Sequence, residues 1–155
     1  MSGKEKPPLS TPALRLQYGA LPYRMDAEHG LQVMLITSRT TRRWIIPKGW
    51  PIKGMKPSQT AAREAYEEAG IEGEVSRKAV GVYVYEKHLE MEDRSVPCEM
   101  RVFALEFKRQ RKNWPEREQR DCRWLSPAQA ISLAADEGLR EVIARFAERF
   151  ESGPI

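Results

Sequence analysis

The sequence predicts an α/β domain. Three observations predict it: runs of β-forming residues punctuated by turn signals, an Ala- and Glu-rich segment with helix signals at both ends, and an apolar stripe at helical spacing near the C-terminus. Residues 16–24 and 31–38 are apolar and rich in β-formers, and Asp26-Ala27-Glu28-His29-Gly30 between them reads as a turn, so the pair forms a hairpin. Residues 43–46 read as a short strand closed by Pro47, and residues 48–54, interrupted by Gly and Pro, read as a loop. Pro57 suits the first position of a helix, residues 58–69 are rich in helix formers, and Gly70 stands where a left-handed cap ends one. Residues 79–85 and 100–107 have the Val, Tyr and Phe density of two further strands, with a polar, mobile loop expected at residues 90–96. Residues 121–125 read as a last short strand, and Ser126-Pro127 opens a helix. Leu139, Val142, Ile143, Phe146, Ala147 and Phe150 then fall on one helical face that packs on the sheet.

A chain of 155 residues fits one domain. We assign residues 1–14 to a solvated arm, 15–151 to the domain and 152–155 to a tail. No apolar run approaches the ~20 residues that span a bilayer, which excludes a transmembrane helix and any membrane partner that needs one. Cys98 and Cys122 make neither a disulfide framework nor a Cys-x-x-Cys motif, so zinc and thiol redox chemistry are set aside and a cytoplasmic location is expected.

The net charge of +4 is less telling than its placement. Between residues 39 and 56 stand Arg39, Arg42, Arg43, Lys48, Lys53 and Lys56 with no acid, whereas residues 63–74 hold Glu64, Glu67, Glu68, Glu72 and Glu74 against Arg63 alone. Charge runs of this kind are often only solvated faces. On a helix, however, Glu64, Glu67 and Glu68 fall within about a 100° arc. Glu64 and Glu68 are like charges at i and i+4, which destabilises an isolated helix by about 0.2–0.5 kcal/mol, and Arg63 is placed to pair only with Glu67. A hard divalent cation is the natural compensator for converging oxygen ligands; Mg²⁺ fits best and Mn²⁺ next. The basic segment before the helix then suits the phosphates of an anionic substrate, with Arg39, Arg43, Lys48 and Lys53 as candidate substrate-binding residues.

Gly49, followed after thirteen residues by Arg63-Glu64-Ala65-Tyr66-Glu67-Glu68-Ala69-Gly70-Ile71, resembles the signature box of the Nudix hydrolases. Gly49, Arg63, Glu64, Glu67, Glu68, Gly70 and Ile71 agree in type and spacing, while Met55 stands where the family has its first glutamate. Residues 19–24, 36–39 and 43–49, with Trp114-Pro115-Glu116 and Arg123-Trp124-Leu125-Ser126, are similar to the branch of diphosphoinositol and dinucleoside polyphosphate phosphohydrolases. The resemblance implies an α/β/α sandwich with a mixed sheet between helices. It also implies metal binding by Glu64 and Glu68, joined by the Gly49 carbonyl, with Glu67 as general base and Arg63 orienting it. The implied activity is Mg²⁺-dependent hydrolysis of a phosphoanhydride in a nucleoside, dinucleoside or inositol polyphosphate.

Family members recruit a further carboxylate from outside the box, and Glu90, Glu92, Asp93, Glu116 and Glu118 are eligible. Two other readings share the fold: a phosphate-ligand binding module of weak or no turnover, suggested by Met55, and an RNA 5′-end pyrophosphohydrolase using the basic run at residues 108–112. A phosphorylated small molecule is the favoured partner and nucleic acid the less favoured one. His29 and His88 read as surface residues, and Trp50 is the tryptophan best placed to meet a ligand.

Overall fold

The computed structural model describes residues 14–89 and 91–152; residues 1–13 of the expected arm, Glu90, and residues 153–155 of the expected tail lie outside the described residues. The chain runs β1 (Arg15–Asp26), β2 (Gly30–Thr37), β3 (Trp44–Ile45), β4 (Lys48–Gly49), α1 (Pro57–Ala69), β5 (Ile71–Val75), β6 (Gly81–Leu89), β7 (Arg94–Gln110), a 3₁₀ turn (Arg117–Gln119), β8 (Cys122–Leu125), α2 (Pro127–Leu133) and α3 (Glu137–Ser152).

All eight strands join one mixed sheet. Its central path is β3-β2-β1-β7-β5, with β4 on β1, β6 on β7 and β8 on β2. The β1–β7 pair is parallel, with Gly19 opposite Val102 and Leu21 opposite Ala104, and the remaining pairs are antiparallel.

Because successive side chains on a strand point to opposite faces, the sheet has two cores. Leu21, Val33, Leu35, Met100 and Val102 pack with Leu139, Ile143 and Phe146 of α3. Their strand neighbours Ala20, Met34, Ile36, Phe103 and Leu105 pack on the other side against Ala61, Ala65 and Ala69 of α1. The result is the expected α/β/α sandwich. Small alanines let α1 lie close to the sheet, which brings its charged flank to the level of the strand backbone.

The helix ends follow their signals. Gly70 caps α1 in the left-handed region at φ 70°, its N–H donating to Tyr66 O at 2.9 Å. Ser126 and Gln129 form a reciprocal capping box on α2.

Three expectations need correction. Residues 48–54 are not all loop, because Lys48–Gly49 pairs with Gly19 and Tyr18 of β1. The loop expected at residues 90–96 is much shorter, because β6 and β7 stay paired out to Leu89 opposite Arg94. β5 was not anticipated: Glu72, Gly73 and Glu74 are poor β-formers, and the strand exists through its edge pairing with β7, with a register shift at Glu72/Gly73.

Candidate active site

The charged flank of α1 meets the two-residue strand β4. Glu68 is buried, its Oε1 accepting the Lys48 backbone N–H at 3.3 Å and lying 3.9 Å from Arg120 Nη2. Glu64 lies over Gly49, where a Cβ would stand 2.4 Å from Glu64 Cδ and 2.5 Å from its Oε2. Gly49 is therefore required by a side chain's approach. Any larger residue would displace the carboxylate.

The Glu64 and Glu68 carboxyl groups lie close enough for each to act on the other's proton. Burial, reinforced by the neighbouring Glu64 carboxyl, pushes the Glu68 carboxyl up to about 9, against the opposing pull of Arg120. Burial also raises Glu64. Two carboxyl groups forced together out of water hold a proton unless a cation replaces it.

Glu67 does not converge with them. Its Oε2 accepts from Arg63 Nε at 2.8 Å, the i,i+4 contact expected from the sequence, and the side chain keeps about a third of its exposure. The site is thus a buried pair beside one tethered, solvent-reached carboxylate. Among the described residues, the group of three metal-ligating side chains with atoms within 4.8 Å of one another is instead Asp26, Glu28 and His29. There Asp26 Oδ2 accepts the N–H groups of Glu28 and His29 at 3.1 and 2.9 Å and meets His29 Nδ1 at 2.6 Å, as an Asx turn does.

The candidate phosphate ligands divide. Lys48 reaches across to the Tyr85 ring at 5.5 Å, and burial, with the charge of Lys87, lowers its ammonium to about 8. Lys53 is exposed in the turn before α1 and makes no ion pair among the described residues. Arg39 donates to Gln119 Oε1 at 3.2 Å, Arg43 faces Asp136 at 3.5 Å, and Arg42 pairs with Asp121 at 2.7 Å. Much of the basic segment is therefore already engaged. Trp50 is partly exposed, with Lys87 Nζ 6.0 Å above its ring.

Sequence reasoning missed Arg120. Its side chain is 9% exposed, and it donates through Nε to Glu116 Oε1 at 2.7 Å and through Nη1 to Thr37 O at 3.1 Å while facing Glu68. The one available signal was the i,i+4 spacing from Glu116. Of the eligible extra carboxylates, Glu116 stands at the site: its N–H donates to Glu67 O at 3.0 Å, and its charge raises both Glu64 and Glu68. Glu92 pairs with Arg94, Asp93 faces His88 at 3.8 Å, Glu118 is exposed in the 3₁₀ turn, and Glu90 is outside the described residues.

The chemistry of the donor set fits a hard cation. Two carboxylates and the Gly49 carbonyl are all oxygen ligands, as Mg²⁺ and Mn²⁺ prefer.

Comparison with known proteins bears on the family and the fold. The family model for the NUDIX domain matches residues 14–146. Nudix hydrolase 13 of Arabidopsis thaliana, named as mitochondrial, is 30% identical over 147 residues, covering 85% of this chain and 73% of that protein. Among solved structures, a Caenorhabditis elegans Ap4A hydrolase in a binary complex superposes with a TM-score of 0.67 at 18% identity, covering 90% of this chain and 100% of that one. The NUDIX domain of Shewanella oneidensis NrtR, in complex with ADP ribose, gives a TM-score of 0.68 at 15% identity over 94% of each chain. At those identities the two structures speak for the fold.

Proposed function

Since the chain belongs to the Nudix hydrolase family, we propose that it is a Mg²⁺-dependent pyrophosphohydrolase cleaving a phosphoanhydride of a nucleoside, dinucleoside or inositol polyphosphate. The observation that carries the reading is the Glu64–Glu68 pair: two neighbouring carboxyl groups one turn apart on α1, with Gly49 cleared beneath one and a backbone N–H on the other. Glu64 and Glu68, with the Gly49 carbonyl, are the residues that would hold the ion. What a divalent cation supplies in such a setting is Lewis acidity toward phosphoryl oxygens and toward water.

The protein's own groups do the rest. Glu67 is exposed enough to meet water and takes the proton as the water oxygen forms its bond to phosphorus and the bridging anhydride bond breaks. Arg63 fixes the Glu67 carboxylate through one charge-assisted bond, so that the base is aimed before substrate arrives. Lys48 and Lys53 offer donors to the phosphates, and Arg39 and Arg43 follow if substrate displaces Gln119 and Asp136 from them. The free thiols Cys98 and Cys122 support a cytoplasmic site of action.

Met55 favours a second reading, a phosphate-ligand binding module without turnover, since its side chain brings no carboxylate to the start of α1. One assay separates the two. Purified protein, with and without Mg²⁺, is incubated with a panel of nucleoside, dinucleoside and inositol polyphosphates beside Glu67→Gln. Metal-dependent product that falls at least about a hundredfold in the variant supports hydrolysis. Binding without product supports the module.

A further inference from the structure

The basic run at residues 108–112 ends β7 and leads into a segment that closes over the C-terminal end of α1. Arg111 N–H donates to Gly70 O at 2.9 Å, Gln110 Nε2 to Ala69 O at 2.9 Å, and Glu116 N–H to Glu67 O at 3.0 Å. The Trp114 ring covers Gly70, where a Cβ would stand 2.2 Å from it. Beside this lid is a cavity of about 410 Å³ lined by Gln110, Arg111, Lys112, Asn113, Trp114 and Arg117. Three cations line it, and no carboxylate does.

The cations are poorly answered from within the protein. Arg111 reaches Glu72 at 3.1 Å, but the same carboxylate also holds Arg109 at 2.7 Å. Arg117 has a neutral partner, Asn113 Oδ1 at 3.0 Å, and lies 5.8 Å from the Trp114 ring centre. Lys112 makes no ion pair among the described residues. The Trp114 indole N–H is buried behind this wall with no acceptor among the described residues, so it reports on changes in the ring's setting. The negative end of α1 does not explain the cluster either, since the Ala69 and Gly70 carbonyls are already taken by Gln110 Nε2 and Arg111 N–H. A cavity with surplus donors and positive charge lacks one component, an anion.

We propose that this pocket is an accessory phosphate site, which holds a distal phosphate of a small-molecule polyphosphate while another of its phosphoanhydrides reacts beside Glu67. The binding itself is independent of the hydrolase reading, and only its description as substrate binding rests on it. The pocket suits a small polyphosphate rather than RNA: Gly70 covers one side of the Trp114 ring and Arg117 approaches it, so no open ring face is offered for stacking a base.

The test is a titration of the full chain in EDTA with inorganic tripolyphosphate, followed by ¹H–¹⁵N NMR. The indole N–H of Trp114 and the backbone amides of Lys112 and Arg117 should shift together and saturate. Lys112→Glu with Arg117→Glu should weaken this event about tenfold or more, as expected for loss of at least one charge-assisted contact, and Lys112→Ala should weaken it less. With Mg²⁺, the double variant should raise KM for a long polyphosphate while leaving kcat, and KM for a diphosphate-bridged substrate, unchanged. An unmoved Trp114 indole, equal affinity in the double variant, or tighter binding of a 5′-triphosphorylated oligonucleotide than of tripolyphosphate would overturn the proposal. If the wild type turns over nothing yet still loses tripolyphosphate binding through these substitutions, the hydrolase reading fails and the anion site stands.

Discussion

The carboxyl carbon of Glu64 lies where a side chain on Gly49 would begin, 2.4 Å from an ideal Cβ at that position. The two residues are fifteen apart in sequence and belong to different elements, so a change at position 49 acts on the helix carboxylate. Gly49→Ala should turn Glu64 aside rather than move backbone, because the obstructing atoms are the end of a flexible side chain. The expected cost in stability is ~1 kcal/mol or less, whereas Mn²⁺ affinity should fall about tenfold to a hundredfold. Thermal unfolding in EDTA beside a Mn²⁺ titration separates the two effects.

Glu68 gives the pH dependence. Its carboxyl is raised from the usual carboxylate range to about 9, so the folded, metal-free protein binds this proton more tightly than the unfolded chain does. The stabilisation linked to that proton is complete below about pH 4.5 and is lost as pH rises toward 9. Lys48, lowered to about 8, has the opposite sign but acts between about pH 8 and 10.5. Between pH 5 and 8 in EDTA, wild-type Tm should therefore fall more steeply than that of Glu68→Gln. At pH 8 the variant should be the more stable by ~1–3 kcal/mol, about 3–9 °C. Added Mg²⁺ should raise the wild-type Tm and leave the variant unmoved.

How much of this was legible beforehand depends on the range of each interaction. The glutamate spacing, the Arg63–Glu67 pair and the Gly70 cap are contacts within one helix or its end, and local sequence periodicity reports them. Arg120 reaches Glu68 from fifty-two residues away and was invisible to any local pattern. That Arg43 faces Asp136 was equally hidden, because the two lie far apart along the chain. The short strand β4 was hidden because Gly and Pro after it signal a loop more strongly than two paired residues signal a strand. The three glutamates share a helical arc, but an arc does not fix side-chain direction, and Glu67 meets Arg63 without closing into one group with the other two.

Arg120 is a nearly buried cation between Glu116 and Glu68. Arg120→Leu strands Glu116 and should cost about 3 kcal/mol. The double variant Arg120→Leu/Glu116→Leu should cost less than the sum of the two single changes, because both members of the pair leave together. Urea unfolding of the four proteins completes the cycle, and additive costs would show that the pair is not coupled.

Gly70 combines a left-handed backbone with the Trp114 ring against its Cα. Gly70→Ala should destabilise by ~2 kcal/mol or more, from the φ penalty together with the displaced indole. Since the 111–120 segment is tied to this end of α1, amide hydrogen exchange at Arg111 and Glu116 should quicken in the variant. Protection unchanged from wild type would show that the segment is held independently of the cap.

The central claim is that Glu64 and Glu68 grip one divalent ion. Mn²⁺ binding followed by electron paramagnetic resonance, in the wild type, Glu64→Gln and Asp26→Ala, tests it most directly. The account predicts one saturable site that weakens at least about tenfold in Glu64→Gln and is unchanged in Asp26→Ala. Binding that survives Glu64→Gln and disappears with Asp26→Ala would place the ion in the β1–β2 turn and contradict it.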